Sequence, residues 1–171
     1  MAASGTIVQR AHGLVVTALV AVGGLAACGD PNEEPAAGVP QSSPATEEVA
    51  AELTAQRAIW EQAGVDTYEY TMSYYVFSGL YGDYRINVVG DQTVSLVRED
   101  GSELDAMLAE ELPGTIDELF DRLERSASAD GFVAEYDSEL GYPRSVLVDH
   151  IVNAVDDELE VRVTSLTPAT G

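Results

Sequence analysis

Covalent chemistry by a nucleophile needs a base beside it, and this chain offers few bases. It has two histidines, His12 and His150, and one thiol, Cys28. His12 precedes a long apolar run near the amino terminus, so a Ser-His-Asp arrangement would have to be built on His150. Asp149 adjoins it on an alternating stretch, where successive side chains point to opposite faces. The two do not make a dyad, and no catalytic residue is assigned. Paired carboxylates could perform general acid/base hydrolysis. With 30 acids, however, spacing alone singles out no pair. Two turns are rich in oxygen ligands, Glu99-Asp100-Gly101-Ser102-Glu103 and Asp156-Asp157-Glu158. Neither has the alternate-position ligands of an EF-hand loop, so both are read as solvated acidic turns, with no metal and no cofactor expected. Gly141-Tyr142-Pro143 is a candidate recognition turn, because a tyrosine held by Gly and Pro loses little entropy on binding. The same three residues serve equally as a rigid turn joining two strands.

Cys28 is the most informative of these residues. Arg10 and His12 precede an apolar run from Leu14 to Ala27, which ends directly at the cysteine. A membrane-spanning helix needs roughly 20 apolar residues. A shorter apolar core behind a positive start is the pattern of an export signal. Leu25-Ala26-Ala27-Cys28 resembles a bacterial lipobox, in which the sulfur receives diacylglycerol and a peptidase cuts before the cysteine. The expectation is a signal peptide over 1–27, a lipidated Cys28, and a protein held on the outer side of a bacterial cell membrane. Two or more acyl chains suffice for stable anchoring.

Gly29 to Ala45 is rich in Pro, Ser and Gly, with Val39 its one large apolar residue. It reads as a tether, so residues 28–45 link the lipid to the folded part, with a reach of roughly 20 to 25 Å as a coil. The spacing suits the charge. Acids number 30 against 8 basic residues, all arginine, for a formal charge of -22. Removal of the leader takes away Arg10 and no acid, leaving the exported part more negative still. A nucleic-acid partner is excluded, because phosphate affinity comes from Lys and Arg displacing counterions.

The elements that must carry any site follow from hydrophobic period. Val49, Leu53, Trp60 and Ala63 share a helical face, predicting a helix over about 47–63 that stops at Gly64. Tyr68, Tyr70, Met72, Tyr74 and Val76 then alternate with Thr67, Glu69, Thr71 and Ser73, the period of a strand. Tyr84, Ile86 and Val88 form a second strand, Gly90-Asp91 a tight turn, and Val94 to Arg98 a third. The acidic stretch Glu99 to Gly114 offers Leu104, Met107 and Leu108 for a helical turn or two. Thr115-Ile116-Asp117-Glu118 is a capping box ahead of Ile116, Leu119, Phe120, Leu123 and Ala127 at helical spacing. Three more alternating runs follow, around Phe132–Tyr136, Val146–Val148 and Leu159–Val163. The expected fold is α+β in the order αβββαβββ, two helices on one face of an antiparallel sheet of about six strands. The expected limits are 46–166 for the single domain and 167–171 for a disordered tail. The two halves echo each other in element order but share little residue similarity.

Several of these segments together resemble a family of uncharacterised bacterial exported proteins and lipoproteins, domain of unknown function 6174. The resemblance rests on Trp60 ahead of Tyr68-Glu69-Tyr70, on Thr115-Ile116-Asp117-Glu118-Leu119-Phe120, on Tyr136-Asp137-Ser138-Glu139-Leu140-Gly141-Tyr142-Pro143, on Asp149 and on Asp156-Asp157-Glu158. It spans about 60–166. Many relatives carry a Cys-x-Cys pair after the first strand; Tyr74 to Tyr84 has none here, which removes any redox role for that loop. The resemblance implies a fold and a location but no activity. The reading is therefore a lipid-tethered, non-enzymatic module that binds an envelope protein or a ligand through a sheet face or an edge loop. The alternative is an envelope hydrolase using paired carboxylates.

Feeding cells labelled palmitate tests the anchor: the wild-type chain should take up label and Cys28→Ala should not. Equal, negligible labelling of both would remove the lipid from the account.

Overall fold

The computed structural model describes residues 44–76, 80–152, 154 and 157–169, which belong to one unit, Pro40–Gly171. The expected signal peptide, Cys28 and most of the tether lie outside the described residues. These residues form three helices and six strands: α1 (Pro44–Ala63), β1 (Thr67–Val76), β2 (Leu80–Val89), β3 (Gln92–Arg98), α2 (Ala106–Glu111), α3 (Ile116–Arg125), β4 (Gly131–Tyr136), β5 (Pro143–Asp149) and β6 (Glu158–Pro168). The strands make one sheet in the order β3-β2-β1-β6-β5-β4, with every neighbouring pair antiparallel.

The expected order αβββαβββ with two helices is corrected to αβββααβββ. The added element, α2, is a six-residue helix capped by Asp105, whose carboxylate accepts the Met107 N–H at 2.8 Å. It lies where Leu104, Met107 and Leu108 suggest a helical turn or two, but none of its residues is fully buried, so the expected order does not count it as a helix. The limits also move. Helix α1 begins at Pro44, inside the expected tether. Strand β6 runs through Pro168, pairing Thr167 with Glu69 and Pro168 with Tyr68, where a disordered tail was expected. The echo between halves does not extend to three dimensions. Superposing the halves in chain order with both helices on one face would make the central pair β1 and β6 parallel, and it is antiparallel.

One face of the sheet carries the core. Alternate residues of β1 (Tyr68, Tyr70, Met72, Tyr74), with their cross-strand neighbours Tyr84, Ile86, Val161 and Val163, are buried under the helices. Helix α3 presents Ile116, Leu119, Phe120 and Leu123 to them, and α1 presents Leu53 and Trp60. Arg57 on α1 ties the two helices together, donating to Asp121 (2.8 Å) and Glu124 (3.0 Å) on α3. Those two carboxylates, Asp121 foremost, raise the Arg57 pKa and keep it charged.

The approach to α3 is held by the phenols of β1. Leu112 to Ile116 are buried, so their backbone groups need partners that water cannot supply. The Tyr70 hydroxyl donates to the Pro113 carbonyl (2.9 Å), and the Tyr68 oxygen accepts the Ile116 N–H (2.9 Å). Arg122 on α3 donates to the Tyr74 hydroxyl and to the Glu111 carbonyl (2.6 Å). From β3, Thr93 donates to the Gly114 carbonyl (2.7 Å). The side chain of any other residue at 114 would place Cβ 2.3 Å from the Thr93 hydroxyl, so the contact demands glycine. The capping box forms with one change: Thr115 accepts the Glu118 N–H (3.1 Å), while the Glu118 carboxylate reaches one residue further back, to the Gly114 N–H (2.7 Å).

Burial keeps these phenols protonated. It raises Tyr68 to about 12, despite the opposing Ile116 N–H, and raises Tyr70 well above its ordinary value. Burial likewise raises Tyr74, partly offset by Arg122. In the unfolded chain a tyrosine loses its proton near pH 10. Above that value the unfolded state binds fewer protons than the folded one, so stability is complete below pH 10 and falls as pH climbs towards 12. Denaturant midpoints should decline across that interval, and less steeply in Tyr68→Phe; a flat profile would show that these hydroxyls are in water. Separately, Trp60→Ala should cost about 3 to 5 kcal/mol, since Trp60 meets Tyr68 edge-on at 5.3 Å and is almost fully buried. An unchanged unfolding midpoint would contradict that burial.

Candidate functional site

The residues singled out by sequence are not gathered into one site. Gly141, Tyr142 and Pro143 are buried, so the recognition role, which needs an exposed tyrosine, is corrected in favour of the rigid turn. Asp137 organises that turn, its carboxylate accepting the N–H groups of Glu139 (3.0 Å) and Leu140 (2.9 Å). Gly141 takes φ +76° beneath α1, where a Cβ would lie 2.7 Å from the Gln56 carbonyl. Tyr142 sets its ring edge-on to Trp60 at 6.4 Å.

His150 lies just past β5 and is exposed; its carbonyl accepts the Asp130 N–H at 3.4 Å. Asp149 stays in the ladder opposite Glu158. In the first acidic turn Asp100 accepts both the N–H (2.8 Å) and the hydroxyl (2.7 Å) of Ser102, bonds that hold its carboxyl below the usual range. Glu99 pairs with Arg85 at 2.9 Å. Of the second turn, Asp156 lies outside the described residues. Among the described residues, no group of three or more His, Cys, Asp or Glu is placed to hold a metal ion, and no helix is long and apolar enough to cross a membrane.

What the fold does present is the face of the sheet opposite the helices. Among the described residues no helix covers it. It carries Thr71, Ser73 and Tyr75 from β1, Asp83 and Arg85 from β2, Glu160 and Arg162 from β6, and Leu147 and Val133 from the outer strands, all exposed or half-buried. The pairing register sets them in rows. Asp83, Ser73, Arg162, Ser145 and Glu135 form one row across five strands, and Tyr81, Tyr75, Glu160, Leu147 and Val133 form the next.

Where these rows cross β1 and β2 lies a shallow depression of about 420 Å³, walled by Tyr75, Tyr81, Asp83, Glu160 and Arg162, with Ser73 between. Tyr75 and Tyr81 stand opposite each other, one pair short of the end of β1 and the start of β2, and remain 46% and 62% exposed. The backbone of Tyr81 is held from beneath, its carbonyl accepting from Arg98 Nη1 (3.2 Å) and from the Tyr84 hydroxyl (3.3 Å). The Ser73 hydroxyl donates to Asp83 (2.5 Å), and Arg162 pairs with Glu160 (2.8 Å). The arrangement offers two aromatic surfaces and two oriented carboxylates on a rigid support, suited to recognition. Tyr75 was visible in the sequence as an aromatic closing the polar series Thr67, Glu69, Thr71, Ser73. Tyr81 was hidden because the second strand reads as starting at Tyr84, whereas β2 starts at Leu80.

Comparison with known proteins adds one match: a family model described as a family of unknown function (DUF6174) covers residues 52–168. No curated protein and no solved structure matches the chain.

Proposed function

The chain belongs to DUF6174, a family of unknown function, and from that premise we propose that it is a non-enzymatic binding module, tethered by lipid on Cys28 to the outer side of a bacterial cell membrane, which engages an envelope partner through the uncovered face of its sheet. The lipid and the location rest on the run from Leu14 to Cys28. The binding role rests on one observation: Tyr75 and Tyr81 are left in solvent, side by side, on the sheet face away from the helices. Tyrosine supplies a large, stiff contact area at low entropic cost, and exposed apolar or aromatic patches mark interaction sites.

Hydrolysis by paired carboxylates would call for two acids facing each other across a deep cleft. The two acids of the depression are instead engaged with Ser73 and Arg162 on a shallow surface.

A photo-crosslinking residue distinguishes the faces. Placed at position 81 in intact cells, it should capture a discrete envelope partner; placed at the exposed position of Met107 on α2, it should capture none. The same adduct from both positions, or an adduct from position 107 alone, would turn the proposal down.

A further inference from the structure

We infer that the partner is a basic polypeptide segment, whose lysine or arginine side chains seat between Tyr75 and Tyr81 and against Asp83. This rests on the sheet-face reading above and adds the chemistry of the occupant.

The charge of the face carries the argument. Its two arginines at the centre are already matched, Arg162 with Glu160 and Arg85 with Glu99. Glu69, Glu135, Asp149 and Glu158 share that face by strand alternation. Among the described residues, none of these four has a cation within ion-pair distance, and the Asp83 carboxylate meets only the Ser73 hydroxyl. The face that carries the two tyrosines thus has an excess of carboxylate with its own cations spent, on a chain of formal charge -22. An anionic surface or a second copy of this chain would be repelled from it. A cationic partner is drawn in and oriented.

The tyrosines add selectivity that charge alone lacks. A phenol ring face attracts an ammonium or guanidinium group, and the register brings Tyr75 and Tyr81 opposite each other with Ser73 and Asp83 in the adjoining row. A cation entering the depression therefore meets aromatic surface and a carboxylate oriented by its serine. The rows continue outward to Glu135 on β4, so an extended segment with spaced basic residues meets further acids along its length.

The test uses the full-length chain in detergent micelles and a ten-residue peptide alternating arginine with serine, with glutamate in place of arginine as the control peptide. Calorimetry at low ionic strength should show binding of the arginine peptide and none of the glutamate one. Tyr75→Ala and Tyr81→Ala leave the charge unchanged and should each weaken binding about fivefold, and Asp83→Asn should act similarly. Glu48→Gln, which removes one exposed acid from α1, should leave affinity within about twofold, as expected of a distant, screened charge. If the tyrosine variants bind as the wild type does while Glu48→Gln weakens binding as much as Asp83→Asn, the attraction is bulk charge alone and the inference fails. Absence of any binding by the wild type also overturns it. A partner captured through position 81 would then still uphold the sheet face, so the two failures are separable.

Discussion

Three phenols on one strand hold this fold in its arrangement. A buried stretch of chain without regular secondary structure must find partners for its backbone groups, and Leu112 to Thr115, leading into the first residue of α3, is such a stretch. Tyr68 and Tyr70 supply those partners, and Tyr74 binds the arginine that secures the Glu111 carbonyl. The exchange is mutual, because a tyrosine hydroxyl taken into the core also needs a hydrogen bond. The same three residues that pack the centre of the sheet therefore aim α3 across it. With α3 set, Arg57 has the two carboxylates that fix α1. The helical layer is in this sense assembled from β1 outward.

Much of this was legible from period alone. The alternation Tyr68 to Val76 marks a half-buried strand, and the Thr115 to Glu118 box with its apolar repeat marks α3, because in both cases one face is apolar and the other is not. The signal fails where that contrast is weak. Leu104, Met107 and Leu108 suggest a helical turn or two, but α2 has no fully buried residue and its stripe is too short to count as a third helix, which the cap at Asp105 nevertheless starts. Residues 80–83 of β2 mix Leu, Tyr, Gly and Asp, and Tyr81 points away from the core. A periodicity set by core residues passes over it.

The same blindness applies to the site. Gly141, Tyr142 and Pro143 drew notice because Gly and Pro flank an aromatic, a composition that a buried turn and a binding turn share. Only the tertiary contacts of Gly141 with Gln56 and of Tyr142 with Trp60 distinguish them. Conversely, residue type does not distinguish Tyr75 from Tyr74; the alternation alone does, one step of the pleat sending one ring into the core and the other into solvent. Where the helices lie decides which of two adjacent tyrosines is structure and which is surface.

The pairing of β1 with β6 has a consequence for how the molecule is made. The first strand of the domain and the last lie side by side at the middle of the sheet, with Ala169 donating its N–H to the Thr67 carbonyl at 2.8 Å. Until β6 pairs with β1 the two three-stranded halves have no common seam, and closing so long a loop is slow. A sheet whose central seam joins its first and last strands is completed in one late step rather than strand by strand.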